Sequence, residues 1–386
     1  MSVLRNPPTI VFLVLLGVLA VVAFWLVPWG QPVPTRAAQA DAVAGLDAAT
    51  VARGKEFASA LRPGSYLSLG VGLLAALLLG LTPVGAKLVA ACGKPLGGHW
   101  LAEAVFGGLA VVLAAQLVTL PLSAWRQSIM ARYGMSTQSW GGWALDVAKS
   151  YAVVVVLSGL ALAAFYTVVR LSPKLWWAWA AAGGACLVIL MSAVYPVLVA
   201  PVFNKFTPME DGPLRAELMT LADQAGVPVD DVLVADASRR TTAVNAYVAG
   251  LGPTRRIVVY DTLLEQPDDE VAMVAAHELG HAKYNDVWVG TSLAALGTAA
   301  TVCFVAALGS GSGLLRRAGV DGVASPRAIA LILAVVAVIG LATMPVQNLI
   351  SRQIEIRADT HALELTQDPE TFAAMQANLS AANLSD

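Results

Sequence analysis

His277-Glu278-Leu279-Gly280-His281 sets two histidines four residues apart, with a glutamate directly after the first. On a helix, positions i and i+4 lie on one face about one turn apart. Two neutral imidazoles can therefore bind one Zn²⁺ while the intervening carboxylate reaches a water at the metal. The pattern points to a hydrolytic metal centre; the plain alternative is a chance His-Glu-x-x-His in an ordinary soluble helix. The flanking sequence favours a helix that starts just upstream. Asp268, Asp269 and Glu270 supply acids to its first turn, where they complement the macrodipole, and Pro267 stands where a helix start tolerates proline.

Two histidines do not complete a catalytic zinc site, which typically takes three protein ligands and leaves the fourth position to water. Of the four histidines in the chain, His99 lies at the edge of an apolar segment and His361 is close to the acids Glu355 and Asp359. In Ser351-Arg-Gln-Ile-Glu-Ile-Arg-Ala-Asp-Thr-His361, Glu355 and Asp359 share a helical face. Glu355 can thus bind zinc while Asp359 hydrogen-bonds a ligating histidine or meets the substrate. A solvated helix with Glu355 paired to an arginine is the competing reading. Cys92, Cys186 and Cys303 lie in or beside apolar segments without paired spacing and read as small buried hydrophobes.

The elements that must position these groups are mostly apolar. Of 386 residues, 57% are hydrophobic and only 13% charged, against roughly a quarter charged in soluble domains, so the chain belongs in a membrane. The net charge of −2, with no basic face or arginine-rich tract, argues against nucleic acid as a partner. Apolar runs at 9–27, 67–91, 102–122, 147–169, 176–202, 287–308 and 329–344 mostly approach or exceed the roughly 20 residues that cross hydrocarbon. About seven spans follow, the last of them short. Tryptophans such as Trp25, Trp29, Trp100, Trp125, Trp176 and Trp288 cluster at their ends, as an interfacial belt requires. The first run follows Arg5 and precedes Ala38-Gln39-Ala40. It is read as an uncleaved anchor, with a cleaved signal peptide as the alternative.

The expected fold class is therefore mainly α: a polytopic α-helical membrane protein with about seven transmembrane helices and a small α+β zincin-like catalytic domain. Residues 1–203 form a membrane region of about five helices, 204–286 an aqueous catalytic segment, 287–350 two more spans, and 351–386 the third-ligand helix. Within the aqueous segment, Leu214, Leu218, Leu221 and Ala225 repeat at helical spacing up to Gly226. Short β-like runs follow at 232–234, 243–249 and 256–260.

Several of these stretches together resemble the integral-membrane zinc metallopeptidases of the CAAX prenyl protease 1 (Ste24-like) type. Phe203-Asn-Lys-Phe-Thr-Pro-Met-Glu-Asp-Gly-Pro-Leu-Arg215 resembles that family's entry into its soluble domain, and Asn245-Ala-Tyr-Val-Ala-Gly250 its substrate strand. Arg256-Ile-Val-Val-Tyr-Asp-Thr-Leu-Leu264 leads into the zinc helix, and 351–359 resembles the third-ligand helix; Tyr133-Gly-Met-Ser-Thr137 is a weaker match. The resemblance implies one zinc per chain held by His277, His281 and Glu355, with Glu278 as general base and Asp359 as a proton-donating or supporting acid. It also implies that Asn245 hydrogen-bonds substrate backbone, which an edge strand at 245–249 would allow by β-augmentation. Arg239 and Arg240 read as a solvated loop, with a carboxylate or lipid head group as alternative contacts. Members of the family usually continue to a His-Pro stretch and a nearby arginine. This sequence stops at Asn383-Leu-Ser-Asp386, with no histidine after His361.

The resulting expectation is peptide-bond hydrolysis in or beside the bilayer, on a peptide or protein substrate that includes membrane-associated or lipidated chains. Two rivals remain at this stage. A heat-shock-type membrane quality-control protease would have fewer spans, and a seven-span receptor or transporter with a structural zinc would more often close its site with four protein ligands. Lysines and arginines nearly balance across the expected spans, so charge alone does not orient the chain. The resemblance favours a cytoplasmic catalytic face, and the excess of 17 Arg over 7 Lys, with Ala, Val and Gly richness, suggests the plasma membrane of a bacterium.

Overall fold

A computed structural model describes residues 6–35, 37, 45–250, 252–309 and 312–385. Arg5, Ala38-Gln39-Ala40 and Asp386 lie outside the described residues.

Among the described residues, seven helices are long and apolar enough to cross a membrane. They are α1 (Pro7–Leu26), α2 (Ala48–Leu81), α4 (Trp100–Arg132), α5 (Trp140–Leu171), α6 (Trp176–Phe203), α9 (Asp286–Leu308) and α10, which starts at Ile329 and ends at Thr366. The short α3 (Pro83–Gly93) sits between the second and third. Large apolar side chains face outward along these helices: Trp25, Tyr66, Leu74, Leu160, Trp179 and Val197 are all more than 60% exposed. Contiguous apolar exposure on that scale is costly in water and natural in hydrocarbon.

Two boundaries differ from the apolar pattern. The run at 67–91 is not one helix, because Pro83 follows Thr82, whose extended backbone ends α2, and the Thr82 hydroxyl accepts from the Val84 amide to cap α3. The last apolar run and the helix carrying Glu355 are, in turn, one continuous helix. Pro345 lies inside α10 without ending it. A helix of 38 residues is about 57 Å long at 1.5 Å per residue, nearly twice the hydrocarbon thickness, so α10 extends well past the membrane. Close helix packing there depends on Gly80 of α2, where a Cβ would stand 2.4 Å from that of Ala334 and 2.6 Å from the carbonyl of Ala330.

The sheet-containing domain has four strands in the order β1-β2-β4-β3, with helices packed against them. β1 (Phe206–Pro208) pairs antiparallel with β2 (Asp231–Ala235), β2 parallel with β4 (Arg256–Tyr260), and β4 antiparallel with β3 (Ala246–Ala249). Helix α7 (Pro213–Ala225) ends at Gly226 in the left-handed region, φ 69°. Its Leu218 and Leu221 pack with Val232 of β2, Ile257 and Val259 of β4, and Val271, Met273 and Leu279 of α8 (Asp268–Lys283). Ala362 of α10 and Met375 of α11 (Pro369–Ala382) close the same core, so the C-terminal helices complete the domain that the central segment begins.

Candidate metal centre

Helix α8 presents His277 and His281 on one face with their Nε2 atoms 3.2 Å apart. From the extension of α10, Glu355 points at both: its Oε2 lies 3.5 Å from Nε2 of His277 and 3.7 Å from Nε2 of His281. Three donors with mutual separations of 3.2 to 3.7 Å match one face of a tetrahedron around zinc, since bonds of about 2.0–2.1 Å put ligand atoms roughly 3.3 Å apart. The donor set, two imidazoles and one carboxylate, also suits a catalytic zinc with one open position. Glu278 offers a carboxylate oxygen to the same cluster, within 4.8 Å of the histidine nitrogens.

The rear of each imidazole is held by a carboxylate. Asp359 Oδ1 lies 2.9 Å from Nδ1 of His277, and Asp286 Oδ2 lies 2.9 Å from Nδ1 of His281. A hydrogen on each Nδ1 leaves each Nε2 as a lone pair aimed at the centre. Glu355 and Asp359 thus share a helical face as the i, i+4 spacing requires, and neither is consumed by an arginine: Arg357 instead donates through Nη2 to Asp286 Oδ1.

Burial alone would lower the pKa of both histidines. Hydrogen bonds that His277 donates to Asp359 and Glu355, and His281 to Asp286 and Glu355, outweigh it and hold both above the ordinary imidazole value. Burial pushes the Glu278 carboxyl up, partly offset by the two histidines beside it. A carboxyl whose pKa is raised is the stronger base towards water, and it holds the proton it takes up for longer before passing it on.

The β3 edge lies beside this helix, with Ala246 and Val248 packed in the domain core with α8. Tyr260 N–H donates to the Asn245 carbonyl at 3.0 Å, so odd-numbered residues direct their backbone groups to β4. By alternation, Ala246 and Val248 turn theirs to the free edge. Asn245 itself is exposed just before the strand, which is shorter than the β-like run expected from 243. The Asn383 side chain accepts from Val244 N–H at 3.0 Å and donates to its carbonyl at 3.2 Å, satisfying the edge one step before the open positions. A cleft of about 580 Å³ adjoins the strand, lined by residues including Tyr195, Tyr247, Val248 and Tyr260.

Sequence reasoning did not find Asp286 or Asn383. Neither belongs to the His-Glu-x-x-His spacing, and Asn383 reaches Val244 across 139 positions. The remaining histidines stand apart. His361 is buried against Gly280 and Tyr284, and among the described residues neither of its ring nitrogens has a hydrogen-bond partner; His99 Nδ1 accepts from the Leu101 amide at the start of α4. Arg239 and Arg240 are not merely solvated: they donate to the Phe203 carbonyl and to Asn204 Oδ1, tying their loop to the end of α6.

A family model described as peptidase family M48 matches residues 208–383, and one described as the CAAX prenyl protease N-terminal region, five membrane helices, matches 65–205. The uncharacterized metalloprotease YhfN of Bacillus subtilis is 31% identical over 276 residues, covering 71% of this chain and 65% of that protein. A CAAX prenyl protease 1 homolog of Arabidopsis thaliana is 34% identical over 289 residues, covering 71% and 66%. The matched chain thus spans about two thirds of these relatives' length. The crystal structure of S. mikatae Ste24p superposes with a TM-score of 0.79 at 24% identity, covering 98% of this chain and 93% of that one, and so shares its fold. With both parts of the sequence matched and the architecture shared, the chain belongs to the integral-membrane metallopeptidases of family M48, of the CAAX prenyl protease 1 type.

Proposed function

We propose that this chain is a membrane-embedded zinc metalloendopeptidase in which His277, His281 and Glu355 hold one Zn²⁺ and Glu278 is the general base. The observation that supports it most directly is the near-equilateral triangle of His277 Nε2, His281 Nε2 and Glu355 Oε2, sized for zinc and backed by Asp359 and Asp286. When bound, the metal would acidify a water and polarise the scissile carbonyl. Glu278 is the group placed to accept a proton from a water entering the site and to return it to the departing amine, and burial raises its pKa towards the working range of such a shuttle. Asp359 keeps the His277 Nδ1 protonated and its ring oriented.

The substrate is a peptide or protein segment laid along the free edge of β3, where Ala246 and Val248 offer backbone groups and Asn245 adds a side chain. Membrane-associated or lipidated chains fit this reading, given the names of the relatives and the position of the site beside the bilayer-spanning helices. Seven candidate spans and the five-helix match favour it over the heat-shock-type protease. We place the protein in a bacterial plasma membrane with the site facing the cytoplasm. Labelling of a single cysteine introduced into 204–286 from outside the cell would overturn that orientation.

The test is zinc content and peptide cleavage by the detergent-purified protein beside Glu355→Ala and Glu278→Gln. About one zinc per chain is expected in the parent and in Glu278→Gln, with turnover only in the parent, and weak zinc binding in Glu355→Ala. Ordinary cleavage by Glu278→Gln, or a parent without zinc, would sink the proposal.

A further inference from the structure

Asp286 holds the rear of His281, and through Arg357 it connects that histidine to two membrane helices. Asp286 is the first residue of α9, and only 8% of its side chain is exposed. Both of its oxygens are engaged: Oδ2 with Nδ1 of His281 and Oδ1 with Nη2 of Arg357. Arg357, 15% exposed, lies on α10 between Glu355 and Asp359, and its guanidinium stacks 4.5 Å over the Tyr284 ring at the end of α8. The joint between α8 and α9 is itself fixed. Asn285 adopts the left-handed conformation, φ 56°, and its side-chain oxygen accepts from Arg255 at 2.9 Å. That turn lets the chain leave α8 and bring Asp286 back under His281.

We infer that Asp286, oriented by Arg357, is a positioning residue for His281, and that the pair sets metal retention. This inference rests on the metal-centre reading above. A carboxylate with one oxygen on the imidazole and the other on a guanidinium cannot rotate freely, so the ring is held in one orientation before metal arrives. The same stretch of α10 then governs all three donors: Glu355 directly, His277 through Asp359, and His281 through Arg357 and Asp286. Lysine at 357 would offer a point charge without the planar fork or the stacking face, so it is not an equivalent replacement.

The experiment measures zinc affinity by competition with a chromophoric chelator, the zinc release rate, and the absorption spectrum of the cobalt-loaded full chain. The variants are Asp286→Asn, Asp286→Ala, Arg357→Ala and the double alanine. Asp286→Ala is expected to weaken zinc binding about 10- to 100-fold and to alter the cobalt bands. Asp286→Asn, which keeps an acceptor for Nδ1–H, should fall between it and the parent. Because Arg357 acts through Asp286, the double variant should lose no more affinity than Asp286→Ala alone, a non-additivity that general loosening of the fold would not produce. Parent-like affinity and cobalt spectrum in Asp286→Ala, or losses that add in the double variant, would overturn the inference while leaving the metallopeptidase reading intact. A parent that binds no metal would overturn both.

Discussion

Gly280, the residue before His281, tests whether the separation of α8 and α10 sets the metal site. A Cβ added there would lie 3.1 Å from Cδ2 and 3.2 Å from Cβ of His361, and 3.2 Å from Cα of Ala358. Ala358 is fully buried and His361 is 3% exposed, so neither can swing aside cheaply. Ordinary carbon contacts lie near 3.5–4.0 Å, so Gly280→Ala must move the two helices apart by about 0.5 Å. Overpacking of this kind costs about 1–3 kcal/mol, of which the better helix propensity of alanine offsets up to about 1. Stability is therefore the blunter readout. Zinc sites hold their distances to about 0.2 Å, so a 0.5 Å displacement of Glu355 from the histidine pair should lower zinc affinity at least about tenfold, or roughly 1.4 kcal/mol. Chelator competition and peptide turnover on Gly280→Ala measure this directly. Gly290→Ala on α9, where a Cβ would meet nothing within 4 Å, is the control expected to behave as the parent. Parent-like affinity and turnover in Gly280→Ala would refute the argument from helix separation.

The histidine pair predicts a pH dependence. Against burial, Asp359 and Glu355 push His277 up to about 9, and Asp286 and Glu355 push His281 up to about 10. Raised imidazole pKa values stabilise the metal-free protein fully below the ordinary value of about 6.5, and that stability is lost as pH rises through the raised values. Its thermal midpoint should therefore drop between pH 7 and about 10. Zinc needs neutral rings and must displace at least one proton, so its affinity should climb by about tenfold or more per pH unit from 7 towards 9; a flat profile would contradict this. A second prediction concerns the ion pair joining Glu103 to Arg327, where Nη2 and Nε donate to the two carboxylate oxygens at 2.8 and 3.2 Å. Removing Arg327 strands a carboxylate that is 11% exposed, whereas removing Glu103 frees an arginine that is already half exposed. Arg327→Ala should thus cost about 1–3 kcal/mol in detergent unfolding and more than Glu103→Gln; the reverse order would count against the pair as a stabilising contact.

What the sequence revealed and what it hid divide along physical lines. Span positions were legible because hydrocarbon demands about 20 apolar residues in a row, a one-dimensional signal. His277, Glu278 and His281 were legible because one helical turn fixes their relation. Glu355 and Asp359 could be read as facing together, but only the packing of α10 on α8, closed at Gly280, brings them to the histidines. Asp286 looked like the end of a polar segment. Its role depends on a left-handed Asn285 and on an arginine 71 positions away, neither of which leaves a periodic trace. The break at Pro83 and the passage of α10 through Pro345 show the same limit, since proline ends one helix and not the other according to what surrounds it.

The proposed metal donors are divided between α8 and the extension of a membrane-length helix, and this division constrains how such a site is held together. α8 brings two donors and the base but no third ligand. Glu355 arrives only after α9 and the membrane part of α10 have been traversed. The domain core obeys the same order, since Ala362 and Met375 fill positions beside Leu279 and Met273 that segment 204–286 leaves open. Apolar burial in the sheet-containing domain and the donor triangle therefore share one interface, the packing of α10 on α8. A centre assembled this way has its geometry fixed by bundle packing as much as by its ligands, which is why a methyl group at Gly280 and the ion pair at Arg357, neither touching the metal position, should both register in zinc affinity.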